Sequence, residues 1–111
     1  MSRLAVYGTL APGRENHHEL AGLAGEWRRG HVRGRLYPQG WGAALGYPGL
    51  VLDRSGPDVP VQVFESVDLA THWARLDRFE GPGYRRVSAT VTAGDDEIEA
   101  CIYVLATDPA C

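Results

Sequence analysis

The sequence has 111 residues, of which 44% are hydrophobic and 23% charged, and its formal net charge at pH 7 is −3. This balance is typical of a soluble globular protein, and the length predicts one domain over residues 1–111 whose core needs neither disulfides nor a structural metal. No apolar run reaches the roughly 18 residues of a membrane-spanning helix and no charged-then-apolar leader precedes Val6, which predicts a cytoplasmic protein without a membrane partner.

The first part of the chain predicts a strand, a short helix and a second strand. Residues 3–7 are mainly apolar and end at 8–13, where two glycines and a proline break regular structure. Asn16 stands three residues before a glutamate and predicts the N-cap of a short helix that ends at Gly25. Residues 29–37 then alternate with period two, which predicts a half-buried strand.

Glycine-rich and proline-rich segments separate the next two predicted strands. Residues 38–47 contain three glycines and predict a long loop, which is followed by an apolar strand over 50–52. A second proline-containing segment ends before Val61, and the next strand is expected over residues 61–67. Period-two alternation places four of its side chains on one face: Val61, Val63, Glu65 and Val67.

A helix and a hairpin are predicted for the last part of the chain. Asp68 is the predicted N-cap of the next helix, in which apolar side chains recur at helical spacing. This helix is expected to end at residues 81–83. Strands over 84–92 and 97–106 flank the turn at 94–96 and are expected to pair as an antiparallel hairpin. Many strands, two helices and glycine-rich corners predict an α+β fold built on a curled sheet or small β-barrel.

The basic residues suggest one alternative function. All 11 are arginines, so Schiff-base catalysis, a pyridoxal-phosphate anchor and a P-loop lysine are excluded. Arg29, Arg33 and Arg35 lie on one face of the strand over 29–37 and could form a cationic stripe that binds an anionic partner. The net negative charge favours the opposing interpretation, a solvated strand face neutralised by nearby acids, so we expect no nucleic-acid partner.

Residues 6–10, Val-Tyr-Gly-Thr-Leu, form the first candidate binding segment. A glycine-containing loop that leaves a strand can turn backbone N–H groups outward, and such a nest suits a small carboxylate. The alternative is an ordinary strand-ending turn that needs Gly8 only for backbone freedom. Taken alone, the chemistry of this segment favours the ordinary turn.

Glu80 is the candidate acid or base. It stands at the carboxyl end of the predicted helix, beside Phe79 and the turn at 81–83, where the helix dipole and partial burial would both raise the pKa of its carboxyl group. A raised pKa suits a carboxylate that exchanges a proton near neutral pH. The alternative is an exposed glutamate on a helix-ending loop. Asp77 and Arg78, by contrast, are interpreted as solvated helix residues.

Other chemistry finds little support in the sequence. No serine lies in a Gly-x-Ser-x-Gly elbow and Cys101 lies within an apolar strand, so a mechanism with a protein nucleophile is disfavoured. His17 and His18 are adjacent and diverge by about 100° on a helix, which does not suit a metal site. Cys101 and Cys111 are the two cysteines, and we interpret both as free thiols of a reducing compartment.

Several short motifs together resemble the gamma-glutamylcyclotransferase-like family, including its avirulence-induced-gene-like branch. The resemblance depends on a Tyr-Gly-Thr-Leu loop and a later Leu-Asp-x-Phe-Glu-Gly motif at the family's separation. It spans nearly the whole chain, because the matching segments occur in the family's order at 6–10, 13–18, 34–37, 76–81, 84–87 and 102–104.

The resemblance implies a compact mixed β-barrel with flanking helices, which cleaves a gamma-glutamyl amide to 5-oxoproline and a free amine without cofactor or metal. It implies that Glu80 is the general acid and base for attack by the substrate's own α-amine, and that Tyr84 and Tyr103 line the cavity. It assigns the substrate's α-carboxylate to Tyr7, Gly8, Thr9 and Leu10. For both cavity tyrosines the alternative is packing within the hairpin. For the whole chain, the alternative is a protein of the same fold that binds a small molecule without turning it over.

Overall fold

The computed structural model describes residues 2–7, 17–37 and 49–106. Within these ranges the chain forms six strands, two short α-helices and a 3₁₀ turn. In chain order they are β1 (Ser2–Val6), α1 (His18–Ala21), β2 (Glu26–Tyr37), β3 (Gly49–Leu52), β4 (Asp58–Ser66), the 3₁₀ turn (Leu69–Thr71), α2 (Trp73–Glu80), β5 (Tyr84–Ala93) and β6 (Asp96–Leu105). The predicted N-cap Asn16, the predicted loop over 38–47 and Cys111 lie outside the described residues.

Five of the described strands form a closed barrel. They are hydrogen-bonded in the order β2–β4–β1–β6–β5, and β5 returns to β2 to complete the ring. β1 runs parallel to β6 whereas the other pairs of the ring are antiparallel, so the barrel is mixed. β3 lies outside the ring and extends the sheet by antiparallel pairing with β2. The expectation of a small mixed barrel with flanking helices is confirmed.

The barrel closes where β2 meets β5. His31 pairs with Thr92 at this point, next to Gly30. A Cβ atom at Gly30 would lie 2.7 Å from the carbonyl oxygen of Thr92 and 2.8 Å from Cγ1 of Val91. A larger residue at this position must push the two strands apart, so closure of the barrel depends on a glycine here.

Replacing Gly30 with alanine is expected to lower the free energy of unfolding by about 1–3 kcal/mol, because β2 and β5 must separate to admit the methyl group. The measurement is urea-induced unfolding of both proteins. Gly22→Ala is the matched control, since a Cβ atom at Gly22 meets nothing within 4 Å. An equal loss of stability in the two variants would contradict the role of Gly30 in closure.

Two apolar clusters stabilise the fold, one inside the barrel and one on its outer surface. The inner cluster is formed by alternate side chains of the strands, including Val32 and Val91. The outer cluster packs Leu69 of the 3₁₀ turn and Leu76 of α2 against outward-facing side chains of β1, β4 and β6. Burial of this helix face holds α2 against the barrel and therefore determines where Glu80 lies.

The segment between β4 and α2 differs from the prediction of one helix capped by Asp68. The chain forms the 3₁₀ turn first and begins α2 only at Trp73, and the side chain of Asp68 caps neither element. Its carboxylate accepts a hydrogen bond from the N–H of Ala24 at 2.9 Å, and the hydroxyl of Ser66 donates to the carbonyl oxygen of the same residue. Asp68 and Ser66 therefore tie the end of β4 to the chain that follows α1.

Two element boundaries also differ from prediction. α1 ends at Ala21 rather than at Gly25, and β4 begins at Asp58 rather than at residue 61. Pro60 lies inside β4, although proline cannot donate to a β-ladder. It is tolerated because β1 pairs with β4 only from Gln62 onward, so the missing N–H leaves no gap in that ladder.

Two of the four side chains predicted to share one face of β4 lie in the barrel core. Val61 and Val63 lie in the barrel interior, whereas Val67 follows the strand and is 66% exposed. Glu65 is half-buried and accepts a hydrogen bond from Nε of Arg3 at 2.6 Å. The simple alternation ends here because β4 approaches the rim of the barrel, where a charged pair replaces the apolar core.

Acidic side chains accompany the arginines of β2. Arg33 lies 3.5 Å from Asp58, and Arg35 lies 3.2 Å from Asp53. Each of these four side chains is more than one third exposed, so the pairs contribute little to stability. They offset the positive charge next to Arg29, which favours a solvated strand face over a cationic binding stripe.

Candidate active site

Glu80 is the last residue of α2, and the chain changes direction directly after it. Gly81 has a φ of 84°, which L side chains rarely adopt, and its N–H donates to the carbonyl oxygen of Asp77 at 3.1 Å. The turn over 82–83 then leads into Tyr84, the first residue of β5. This reversal brings the start of β5 back beside the end of the helix that carries Glu80.

The carboxyl group of Glu80 has a higher pKa than an ordinary glutamate. The residue is half-buried, and burial penalises the charged form and raises its pKa from the ordinary 4.5 to about 7. The direction agrees with the expectation from the sequence, and burial is the cause. A carboxyl group with this pKa is present in both protonation states near neutral pH, so it can both accept and return a proton.

Three tyrosine hydroxyls lie within electrostatic reach of Glu80. Burial raises the pKa of Tyr7, Tyr84 and Tyr103, and the negative charge of Glu80 raises each of them further. They come from three parts of the chain, since Tyr7 follows β1, Tyr84 begins β5 and Tyr103 lies on β6. The structure thus brings together four of the predicted site residues, with all three phenols protonated at neutral pH.

Tyr7 connects three strands through its hydroxyl group. The hydroxyl donates to the carbonyl oxygen of Tyr103 at 2.6 Å and accepts a hydrogen bond from the N–H of Leu50 at 3.2 Å. These bonds hold β1, β3 and β6 together at one end of the barrel. Carboxylate binding by the loop after β1 stays a prediction, because its other residues lie outside the described ranges: Gly8, Thr9 and Leu10.

Tyr103 is held by a series of polar contacts that ends at an aromatic ring. It is 5% exposed, and its hydroxyl donates to Oδ1 of Asp77 at 2.6 Å. The guanidinium group of Arg86 donates to both carboxylate oxygens of Asp77, at 3.0 and 3.4 Å. The same guanidinium lies over the ring of Trp73, 4.4 Å from its centroid. Tyr103 is therefore fixed at its hydroxyl as well as at its carbonyl group.

Asp77 has more contacts than the solvated helix residue that the sequence predicted. It is exposed, yet it is the common acceptor for Tyr103 and Arg86. Burial acts to raise the pKa of Asp77, but these two hydrogen bonds outweigh it and hold the pKa below its ordinary value. One sequence signal could have identified this residue, because Asp77 and Glu80 are three positions apart and share a helix face.

A cavity of about 260 Å³ opens between β3 and the hairpin of β5 and β6. Most of its lining residues are aliphatic, and they include Leu50, whose N–H donates to Tyr7, and Val104, which follows Tyr103 in the chain. Arg85 is the charged residue among the described residues of the wall. The cavity therefore adjoins the strands that position the tyrosines near Glu80.

The described part of the chain shows neither a metal-binding cluster nor a membrane-spanning helix. Residues 2–7, 17–37 and 49–106 contain no group of three or more His, Cys, Asp or Glu side chains that could hold a metal ion. Within the same ranges, no helix has the length and apolar character needed to cross a membrane. Cys101 is a half-buried free thiol.

Comparison with known proteins relates this chain to one family. The family model described as gamma-glutamyl cyclotransferase, AIG2-like, matches residues 4–110. The match therefore includes both Tyr7 and Glu80. No curated protein matches the sequence.

Several solved structures share the fold. YkqA from Bacillus subtilis is 30% identical with a TM-score of 0.72 over 95% of this chain, which spans only 36% of the YkqA chain. An AIG2-like protein from Mus musculus, also called GGACT, is 25% identical with a TM-score of 0.75, over 99% of this chain and 81% of that one. A protein from Pyrococcus horikoshii is 24% identical with a TM-score of 0.68, over 98% and 81% of the two chains. The last likeness concerns the fold alone.

Proposed function

This chain belongs to the gamma-glutamyl cyclotransferase, AIG2-like family, and on that premise we propose that it is an enzyme that cleaves a gamma-glutamyl amide to 5-oxoproline and a free amine. The observation that carries the proposal is the carboxyl group of Glu80, whose pKa of about 7 results from burial beside three tyrosines. Such a group suits general acid–base catalysis at neutral pH. The proposed reaction uses no cofactor, because the substrate supplies its own nucleophile.

The proposed reaction joins two groups of one substrate molecule. The ionised carboxylate of Glu80 accepts a proton from the substrate's α-ammonium, and the freed amine attacks the γ-carbonyl carbon. When the tetrahedral intermediate collapses, the γ-amide C–N bond breaks and Glu80 returns its proton to the departing nitrogen. The ring nitrogen loses its second proton to solvent and the released amine is protonated by solvent, which leaves Glu80 ionised for another cycle.

Placement of the substrate accounts for much of the expected rate. The nucleophile and the carbonyl group are parts of one molecule, so holding the glutamyl chain in a folded conformation replaces a bimolecular encounter. The tyrosines near Glu80 suit this task, because a phenol can accept a hydrogen bond from an ammonium group or donate one to a carboxylate. We propose that the substrate's α-carboxylate binds the loop that begins at Tyr7 and continues through Gly8, Thr9 and Leu10, with Tyr84 and Tyr103 beside the glutamyl chain.

Release of 5-oxoproline by the purified protein tests the proposal. The substrates are gamma-glutamyl amides of an α-amino acid, of a lysine side chain and of a polyamine, so the relative rates also identify the class of leaving amine. Release from at least one amide is the expected result. Absence of release from all three contradicts the proposal, and a rise in Tm with the same amides would then support a binding protein without turnover.

The pH dependence of kcat/KM is a further expected result. The base form of Glu80 is required in the free enzyme, so kcat/KM should rise about tenfold per pH unit below the pKa of about 7 and level off above it. The measurement is the rate of 5-oxoproline release between pH of about 5.5 and 8.5. A profile that is flat across this range, or that levels off near the ordinary glutamate pKa, would exclude Glu80 as the base.

A further inference from the structure

The single hydroxyl proton of Tyr103 is already engaged in a hydrogen bond to Asp77. A phenol has one O–H to donate and lone pairs with which to accept. In Tyr103 the O–H donates to Oδ1 of Asp77 at 2.6 Å. Toward every other neighbour, including a substrate beside Glu80, the Tyr103 oxygen can therefore act only as a hydrogen-bond acceptor.

The direction of this proton is determined by the surroundings of Asp77. Its carboxylate receives two hydrogen bonds from Arg86, at 3.0 and 3.4 Å, and Arg86 is supported by the ring of Trp73. These donors favour the ionised form of the carboxylate, which has no proton to give to Tyr103. The phenol must therefore be the donor in this pair, and the carboxylate must be the acceptor.

The same helix places this pair near the proposed base. Asp77 and Glu80 are three residues apart on α2, so their side chains are neighbours on one helix face. The charge of Glu80 also acts on the hydroxyl of Tyr103, which it helps to keep protonated by raising the pKa. Glu80 and the Tyr103 oxygen, which is bonded to Asp77 on the same helix, are therefore two acceptors near the carboxyl end of α2.

We propose that Asp77 is a positioning residue, which turns the Tyr103 oxygen into an acceptor for one N–H of the substrate's α-ammonium while Glu80 accepts another. This role rests on the proposed cyclotransferase function and specifies how the site holds the reacting nitrogen. An ammonium group has three donors and suits two acceptors of this kind. The opposite role, in which Tyr103 donates to the γ-carbonyl oxygen, would require the hydroxyl proton that Tyr103 already donates to Asp77.

A double-mutant cycle tests whether Asp77 acts through Tyr103. Tyr103→Phe is expected to raise KM roughly ten- to a hundredfold with a smaller change in kcat, the effect of removing one hydrogen bond to a charged group. Asp77→Ala should raise KM roughly tenfold, and the double variant should be no worse than Tyr103→Phe alone. Asp77→Asn keeps a carbonyl oxygen as acceptor and should lose less than Asp77→Ala. Asp96→Ala, which removes an exposed partner of Arg28, is the matched control and should leave KM unchanged.

A second measurement does not depend on turnover. The ultraviolet absorbance of tyrosinate, followed against pH, should show one tyrosine ionising at lower pH in Asp77→Ala than in wild type. That change should be absent when Tyr103 is already phenylalanine and absent in Asp96→Ala. An unchanged titration in Asp77→Ala would overturn the proposed link between Asp77 and Tyr103, whatever the kinetics show.

The remaining outcomes separate this proposal from the proposed function. Additive effects of Asp77→Ala and Tyr103→Phe would overturn the positioning role while leaving the cyclotransferase reaction intact. A loss confined to kcat in Tyr103→Phe would also overturn it, because that result belongs to a donor that acts in the transition state. Absence of 5-oxoproline release by wild type would overturn the proposed function and the positioning role together.

Discussion

Replacing Glu80 with glutamine is expected to lower 5-oxoproline release by at least about a hundredfold, the usual contribution of a general acid–base group. Glutamine has nearly the same size and can fill the same half-buried position, but its amide cannot accept the α-ammonium proton and return it. Substrate binding should be largely retained. The measurement compares kcat in the two proteins, with binding followed by the ligand-induced rise in Tm.

The same substitution is expected to make the protein more stable above neutral pH. The folded-state pKa of Glu80, about 7, is higher than the ordinary value of 4.5, so the native state holds a proton that the unfolded chain has released. The stability linked to this proton is fully present below pH 4.5 and is lost as the pH rises through 7. Glutamine does not titrate, so its advantage over wild type should be on the order of 2 kcal/mol at pH of about 8 and small at pH of about 4.

Glu97→Gln is the matched control for both effects. Glu97 is exposed on β6, and its replacement should change neither release nor the dependence of Tm on pH. Full activity in Glu80→Gln would refute the assigned role of this carboxyl group. Equal losses of activity in the two variants would point instead to a general effect of removing a negative charge.

Replacing Leu76 with alanine is expected to destabilise the protein by about 2–5 kcal/mol, which corresponds to a fall in Tm of roughly 10–20 °C. Leu76 is fully buried, with 0% exposure, in the cluster that holds α2 against the barrel. Truncation removes apolar contacts and leaves a cavity between α2 and the barrel, which the surrounding side chains fill only partially. Because α2 also carries Asp77 and Glu80, activity should be lost at a lower temperature than in wild type.

Leu36→Ala is the control of identical chemistry, because Leu36 is 46% exposed on β2. Its effect on stability should be within about 0.5 kcal/mol of zero. Thermal unfolding of the three proteins at one pH gives the comparison. If the two leucine variants lost the same stability, the packing of α2 on the barrel would not be a main source of stability.

The strands were predictable because their signals are local. Alternation of side chains and turn residues identified β2 and both strands of the hairpin to within a few residues. Closure of the barrel was not predictable in detail, because it depends on a contact between Gly30 and Thr92, which are far apart in the chain. Asp68 was misassigned for a related reason, since its carboxylate bonds to Ala24 of a distant segment instead of to its own helix.

The candidate site was predictable in part. The resemblance to a known family pointed to Glu80 and its three neighbouring tyrosines as candidates, and the expected partial burial of Glu80 predicted the direction of its pKa shift. Asp77 was missed because a polar residue on a short helix is usually solvated, and only the fold brings Tyr103 and Arg86 to it. The resemblance thus points to the candidate acid–base group, whereas the contacts that orient its neighbours depend on the fold.

The parallel pairing of β1 with β6 has a consequence for how the protein folds. Leu4 pairs with Cys101, so the ring cannot be completed until the chain through β6 is available. Such non-local pairing predicts folding in milliseconds to seconds rather than microseconds. Until β6 arrives, one edge of β1 stays open to pairing with other chains, and Tyr7 lacks the carbonyl group that holds it. The arrangement proposed for catalysis should therefore form only after β6 has paired with β1, together with protection from aggregation.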